Sequence, residues 1–235
     1  YHMPVVLRFK GLLNKEYLSK ALQTIINRHE ILRTMIREEE GVGFQYVKEE
    51  NNWDLEYIDG SVYKDDADAL DKYLHDLISI PFDLSQDYMI RGHLIRISED
   101  EHILEVTMHH IASDGWSMSV LVKEMVELYA SYSQNRKPDL EPLSIQYIDY
   151  AIWQRRHLQG EIFDRKLNYW KQKLNEAEPL TLPTDFARPA IQSNKGAIEL
   201  FNIDKELSEK LQSLSQKHGA TLFMTLLTAF KVLLY

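Results

Sequence analysis

The sequence contains no cysteine. It can carry no disulfide framework, no thiol nucleophile and no thiolate-bound metal, which fits a reducing compartment without demanding one. No run approaches the roughly eighteen consecutive apolar residues that would argue for a membrane-spanning helix. The opening YHMPVVLRFKG lacks the basic start and long apolar core of a secretory signal. Basic residues are in the minority: 27 Lys and Arg against 36 Asp and Glu give a formal net charge of −9. Nucleic-acid binding needs clustered positive charge against phosphates, so that class is set aside. Internal repeats and low-complexity segments are lacking too. What remains is ordinary globular composition, 44% hydrophobic and 27% charged over 235 residues, enough for one large packed domain or two small ones.

Both ends read as cut from something longer. The first residues begin inside a strand, and ATLFMTLLTAFKVLLY stops in an apolar helix with neither cap nor polar tail. Between them, Val5–Phe9 is expected as a strand and Asn14 as the cap of a helix. Leu18, Ala21, Leu22, Ile25 and Ile26 fall at helical spacing and form one apolar stripe. Ile31–Arg37 and Phe44–Lys48 read as a hairpin around Gly41 and Gly43, and Asp54–Ile58 as a short strand. A helix over Asp66–Ile78 ends before Pro81. Tyr88–Ile97 and His102–His109 form a second hairpin. Helices follow over Trp116–Tyr132, Ile145–Leu158 and Phe163–Leu174. An irregular stretch with three prolines occupies Pro179–Lys195. Gly196–Ile203 is expected to return to strand, with helices starting at Asp204 and Thr221. Hairpins without a strict strand–helix–strand rhythm favour an α/β sandwich with a mixed sheet over a doubly wound parallel one.

The feature that carries chemistry is His109-His110-Ile-Ala-Ser-Asp114-Gly115, within MHHIASDGWS. An imidazole at a strand end projects toward a cleft, and histidine titrates close enough to neutrality for proton transfer. Strand parity places His110 with Leu104, Val106 and Met108, on the interior side, and His109 on the opposite face with a structural hydrogen-bonding role. Adjacent histidines diverge on a strand, which argues against a metal site. Asp114 is open to two readings, turn chemistry or a carboxylate paired with an arginine. Gly115 suggests a tight backbone conformation or a close approach by substrate. Trp116 is expected in the core.

MHHIASDGWS resembles the core motif of condensation domains of nonribosomal peptide synthetases, relatives of chloramphenicol acetyltransferase. RHEILRT (Arg28–Thr34), YIDYAIWQRRHLQGE (Tyr147–Glu161) and the stretch from YWKQKL to LPTDFARP (Tyr169–Pro189) are similar to further ordered segments of that family. The SDGWS form is most similar to the subtype joining an L-configured donor to an L-configured acceptor. The resemblance implies a chloramphenicol acetyltransferase-like fold in two lobes forming a V. Residues 1–178 would be the N-terminal lobe, and 179–235 the crossing segment and start of a truncated C-terminal lobe.

It also implies the chemistry: amide-bond formation between a carrier-bound aminoacyl or peptidyl thioester and a carrier-bound aminoacyl acceptor. The catalytic set would be His110, His109, Asp114 and Gly115, with His110 as general base or positioning group and His109 and Asp114 as its frame. The resemblance assigns Asp114 to an ion pair with an arginine, Arg33 ahead of Arg28. No directly bound cofactor is expected, the 4'-phosphopantetheine arms arriving on donor and acceptor peptidyl carrier domains. An adjacent adenylation domain and the missing lobe are the other expected partners, in the cytoplasm. Alternatives are a non-catalytic docking lobe for carrier proteins and a stand-alone CoA-dependent acyltransferase. The lobe alone is expected to be weakly active or inactive.

Overall fold

Asn14 fixes where the first helix starts. Its side chain accepts the backbone N–H groups of Glu16 and Tyr17, both at 3.0 Å, and α1 runs Lys15–Arg28. The stripe Leu18, Ala21, Leu22, Ile25 and Ile26 is buried along its length. Each fully buried leucine or isoleucine side chain of this stripe contributes about 1.5–3 kcal/mol. The computed structural model describes residues 1–235 except Leu180, Gln192, Asn194, Lys195, Ala197, Ile198 and Tyr235.

The stripe packs on a four-stranded sheet of β1 (His2–Lys10), β4 (Glu56–Asp59), β5 (Ile90–Arg96) and β6 (Glu101–His109). Their order is β1-β6-β5-β4. β6 is antiparallel to both neighbours, and β4 lies parallel to β5, so the sheet is mixed as expected. β2 (Thr34–Glu39) and β3 (Val42–Val47) form a separate antiparallel hairpin. Period-2 alternation divides β6 between two layers. Leu104, Val106 and Met108 join the core made with α1 and with Leu128 of α3 (Gly115–Ser133). Ile103 joins Ile95, Ile97 and the Leu70 and Leu74 side chains of α2 (Ala67–Ser79). Apolar helices thus cover both faces of the central strand. Gly92 has a positive reason to lack a side chain: a Cβ there would come within 3.0–3.2 Å of Leu55 and Trp53. Trp53 instead lies on the strand and donates its indole N–H to the Ile90 carbonyl at 3.0 Å.

Two compact units are present, Tyr1–Lys166 and Leu167–Tyr235. The first also contains α4 (Tyr147–His157), and α5 (Gly160–Lys173) begins in it. In the second, Asp204 caps α6 (Lys205–Lys217) and Thr221 caps α7 (Leu222–Leu233). The hydroxyls of Ser215 and Thr225 join these helices at 2.7 Å.

Two expectations need correction. The strand expected from Ile31 opens instead as a 3-10 turn over Glu30–Arg33, closed by the Leu32 N–H on the His29 carbonyl, and pairing starts at Thr34. The strand expected over Gly196–Ile203 falls partly on Ala197 and Ile198, outside the described residues. Gly196 and residues 199–203 are irregular, because alternation of apolar residues supplies no partner edge.

Candidate active site

The histidine pair sits where the central strand ends. The His109 N–H donates to the Met89 carbonyl at 3.0 Å, and the His110 N–H donates to the Tyr1 carbonyl at 2.8 Å. The chain then turns at once: the Ala112 N–H and the Ser113 hydroxyl both donate to the His109 carbonyl, at 3.0 and 3.1 Å.

His109 is built into this turn. Its Nδ1 accepts the Ile111 N–H at 3.1 Å, so the neutral ring carries its proton on Nε2. Burial pushes its pKa below the ordinary histidine value, which favours that neutral form. His110 is exposed, and no hydrogen bond or ion pair engages its ring among the described residues. Parity places it on the interior side with Met108, and the structure corrects this. The strand stops one residue earlier, so the alternation no longer governs His110 and its ring faces solvent.

The expected ion pair of Asp114 is replaced by a helix cap. The Asp114 carboxylate accepts the Ser117 N–H and the Ser117 hydroxyl, both at 2.8 Å, while the Asp114 N–H donates to Ser117 Oγ at 3.1 Å. These bonds hold its pKa below the ordinary carboxylate value. Among the described residues no ion pair joins Asp114 to Arg33 or Arg28. Both arginines are engaged elsewhere. Buried Arg33 lies 3.6 Å from Glu30 and from Glu50 and donates to the Lys48 carbonyl. Arg28 donates to Glu124 at 3.0 Å.

If capping is what Asp114 does, Asp114→Asn should preserve the start of α3, since asparagine caps about as well as aspartate, and Asp114→Ala should not. Thermal melts of the two variants test this; an asparagine variant that melts as low as the alanine one would restore charge pairing as the explanation. Gly115 follows as the first residue of α3. Its φ is not positive and a Cβ would meet nothing within 4 Å, which removes the tight-backbone reading and leaves open space beside the motif.

Trp116 corrects a further expectation. It is 81% exposed, at the mouth of a cavity of about 210 Å³ whose walls include Ile25, His29, Met108, Ser113 and Leu121. Val120, Val122 and Val126 of α3 are exposed as well, so apolar character alone does not mark the buried face of this helix. His29 and Glu124 escaped the sequence reading altogether. Glu124 is buried in α3 and binds His29 Nε2 at 2.7 Å as well as Arg28. Burial alone would raise its pKa, but the hydrogen bonds and charges of His29 and Arg28 outweigh that and hold it below the ordinary value. The available signal was a carboxylate, Glu124, at helical spacing with Leu121, Met125 and Leu128, on the stripe facing the basic end of α1. No group of three or more His, Cys, Asp or Glu is placed to hold a metal ion among the described residues.

A family model described as the condensation domain matches residues 1–235. The chain belongs to the condensation domain family. Among its relatives, one of the linear gramicidin synthase proteins of Brevibacillus parabrevis is 43% identical over 240 residues, which cover 100% of this chain and 5% of that protein. Enniatin synthase of Fusarium equiseti is 38% identical over 237 residues, covering 100% of this chain and 8% of that one. The solved X-domain from teicoplanin biosynthesis superposes with a TM-score of 0.80 at 30% identity, over 94% of this chain and 49% of that one. This condensation domain chain therefore spans about half of that solved structure and a small part of the synthetases. Its mixed α/β architecture agrees with the fold that the resemblance implied.

Proposed function

We propose that this chain contributes the histidine-bearing lobe of a condensation domain in a nonribosomal peptide synthetase, with residues 1–178 as that lobe. The domain joins a carrier-bound aminoacyl or peptidyl thioester to a carrier-bound aminoacyl acceptor. The acceptor's α-amine attacks the thioester carbonyl, the new C–N bond forms, and the C–S bond breaks to release a carrier thiol. An α-amine has a pKa near 8, so it must shed a proton to attack, and the tetrahedral intermediate gathers charge on oxygen.

The observation that carries the reading is the asymmetry of the histidine pair. His109 has its Nδ1 committed to the turn, whereas the His110 ring is exposed and, among the described residues, makes no hydrogen bond or ion pair, so it is available to take the amine's proton or to orient the amine. Asp114 and Gly115 set the start of α3 beside it. The 4'-phosphopantetheine arms of donor and acceptor carrier domains would bring the substrates. An adenylation domain and a second lobe would complete the assembly, in the cytoplasm.

The test uses the full-length protein with donor and acceptor carriers loaded, and follows the dipeptidyl thioester by mass spectrometry. Dipeptide formation is expected. Acetyl transfer from acetyl-CoA to a free amine or alcohol, with no product from carrier-bound substrates, would overturn the reading in favour of a CoA-dependent acyltransferase. No turnover with either would leave a docking lobe.

A further inference from the structure

His109 is held from outside its own turn as well as from within it. The Phe82 ring meets it edge-on, with centroids 5.6 Å apart at 71°, and meets His2 in the same manner at 5.2 Å and 74°. His2 in turn lies opposite His109 in the β1–β6 register and donates its Nδ1–H to the Ile78 carbonyl at 2.6 Å. Arg91 stacks on Phe82, its guanidinium carbon 3.9 Å from the ring centroid.

Arg91 is itself fixed. It rises from β5 and donates to the carbonyls of Ile80 and Pro81 at 2.7 and 2.6 Å, and to the Asp87 carboxylate at 2.9 Å. The loop it grips is closed internally, since Asp83 accepts from Ser85 and Gln86 and its N–H donates to Asp87. A guanidinium stacked on the Phe82 ring while bonding the carbonyls of the two preceding residues is a clamp, because it restrains both the ring and the backbone that carries it.

We propose that Phe82, clamped by Arg91, is a positioning residue that holds the His109 ring and, through it, the turn that presents His110. The inference rests on the reading of His110 given above. Phe82 touches no reacting atom; its effect travels through the His109 Nδ1 bond to the Ile111 N–H. A reacting group displaced by about 1 Å can lose on the order of 10²-fold in rate, so loosening this turn should act on turnover and leave substrate binding alone.

The test compares Phe82→Ala, Phe82→Leu and Phe82→Tyr in the full-length protein, by condensation kinetics and by hydrogen exchange of the peptide spanning residues 109–114. Phe82→Leu keeps apolar bulk without the ring face and guards against simple misfolding of the alanine variant. The expected result is a kcat lower by about 10- to 100-fold for Ala and Leu with KM little changed. Exchange at the turn should quicken, and Phe82→Tyr should be close to wild type. Unchanged exchange would overturn the proposal whatever the kinetics, and faster exchange with normal kcat would overturn the positioning role. The exchange readout does not depend on turnover, so loss of the His110 reading would be recognised separately, by a His110 variant that retains full activity.

Discussion

Replacing His110 by alanine is expected to lower dipeptide formation on the order of 10²–10⁴-fold while leaving the fold intact. The two halves of that expectation come from one observation. The ring is exposed and engages no hydrogen bond or ion pair among the described residues, so truncating it opens no cavity and orphans none of them. Its N–H still donates to the Tyr1 carbonyl in the alanine variant, because that bond belongs to the backbone. His109→Ala is a different experiment: it removes the acceptor for the Ile111 N–H and empties a part-buried aromatic cluster, so loss of activity there would be accompanied by loss of order. Circular dichroism and a thermal melt of His110→Ala, beside turnover with loaded carriers, make the comparison. Wild-type turnover by a folded His110→Ala protein would refute the catalytic assignment.

Breaking the buried pair on the other face of β6 is expected to cost more stability than any surface change. Glu105 is fully buried, bound to His93 Nδ1 at 2.6 Å and to the Thr107 hydroxyl, and His93 is itself nearly buried. Removing one member of such a pair leaves the other in low dielectric without its partner, at about 3–5 kcal/mol. Glu105→Ala should therefore shift the melting temperature far down, and Glu105→Gln, which keeps polar contact with Thr107 and His93, should shift it less. A double replacement of Glu105 and His93 by leucine should recover part of the loss, since neither member of the pair is left buried without the other, while the Thr107 hydroxyl, deprived of its acceptor, keeps the recovery incomplete. The result against this is a Glu105→Ala melt within a degree or two of wild type.

How much of this was legible beforehand varies with the range of the interaction. Caps and stripes are local, and Asn14, Asp66, Asp204 and Thr221 all start helices where their residue types predict. The hairpin of β5 and β6 is local as well. The parallel pairing of β4 with β5 was not legible, because alternation identifies a strand without naming its neighbour. The motif was legible as a family signature, yet its wiring was not. Asp114 serves Ser117, three residues away, and the arginines serve Glu124, Glu30 and Glu50. That Arg28 meets Glu124 is decided by packing between α1 and α3, of which spacing along one segment carries no record, whereas Arg33 and Glu30 lie only three residues apart. Trp116 was misplaced for the related reason that apolar character alone does not mark the buried face of α3, where Val120, Val122 and Val126 are exposed too.

The sheet order also dictates a sequence of events in folding. The β5–β6 hairpin closes over a short turn at residues 97–100, an event of about 1–10 μs. β1 meets a strand roughly a hundred residues downstream, His2 opposite His109, and pays a correspondingly larger loop-closure entropy. Of the four strands of this sheet, the one earliest in the sequence is thus among the last to dock. Since His2 arrives with it, the surroundings of His109 are completed at that late step, and fraying of β1 is the route by which they come undone first.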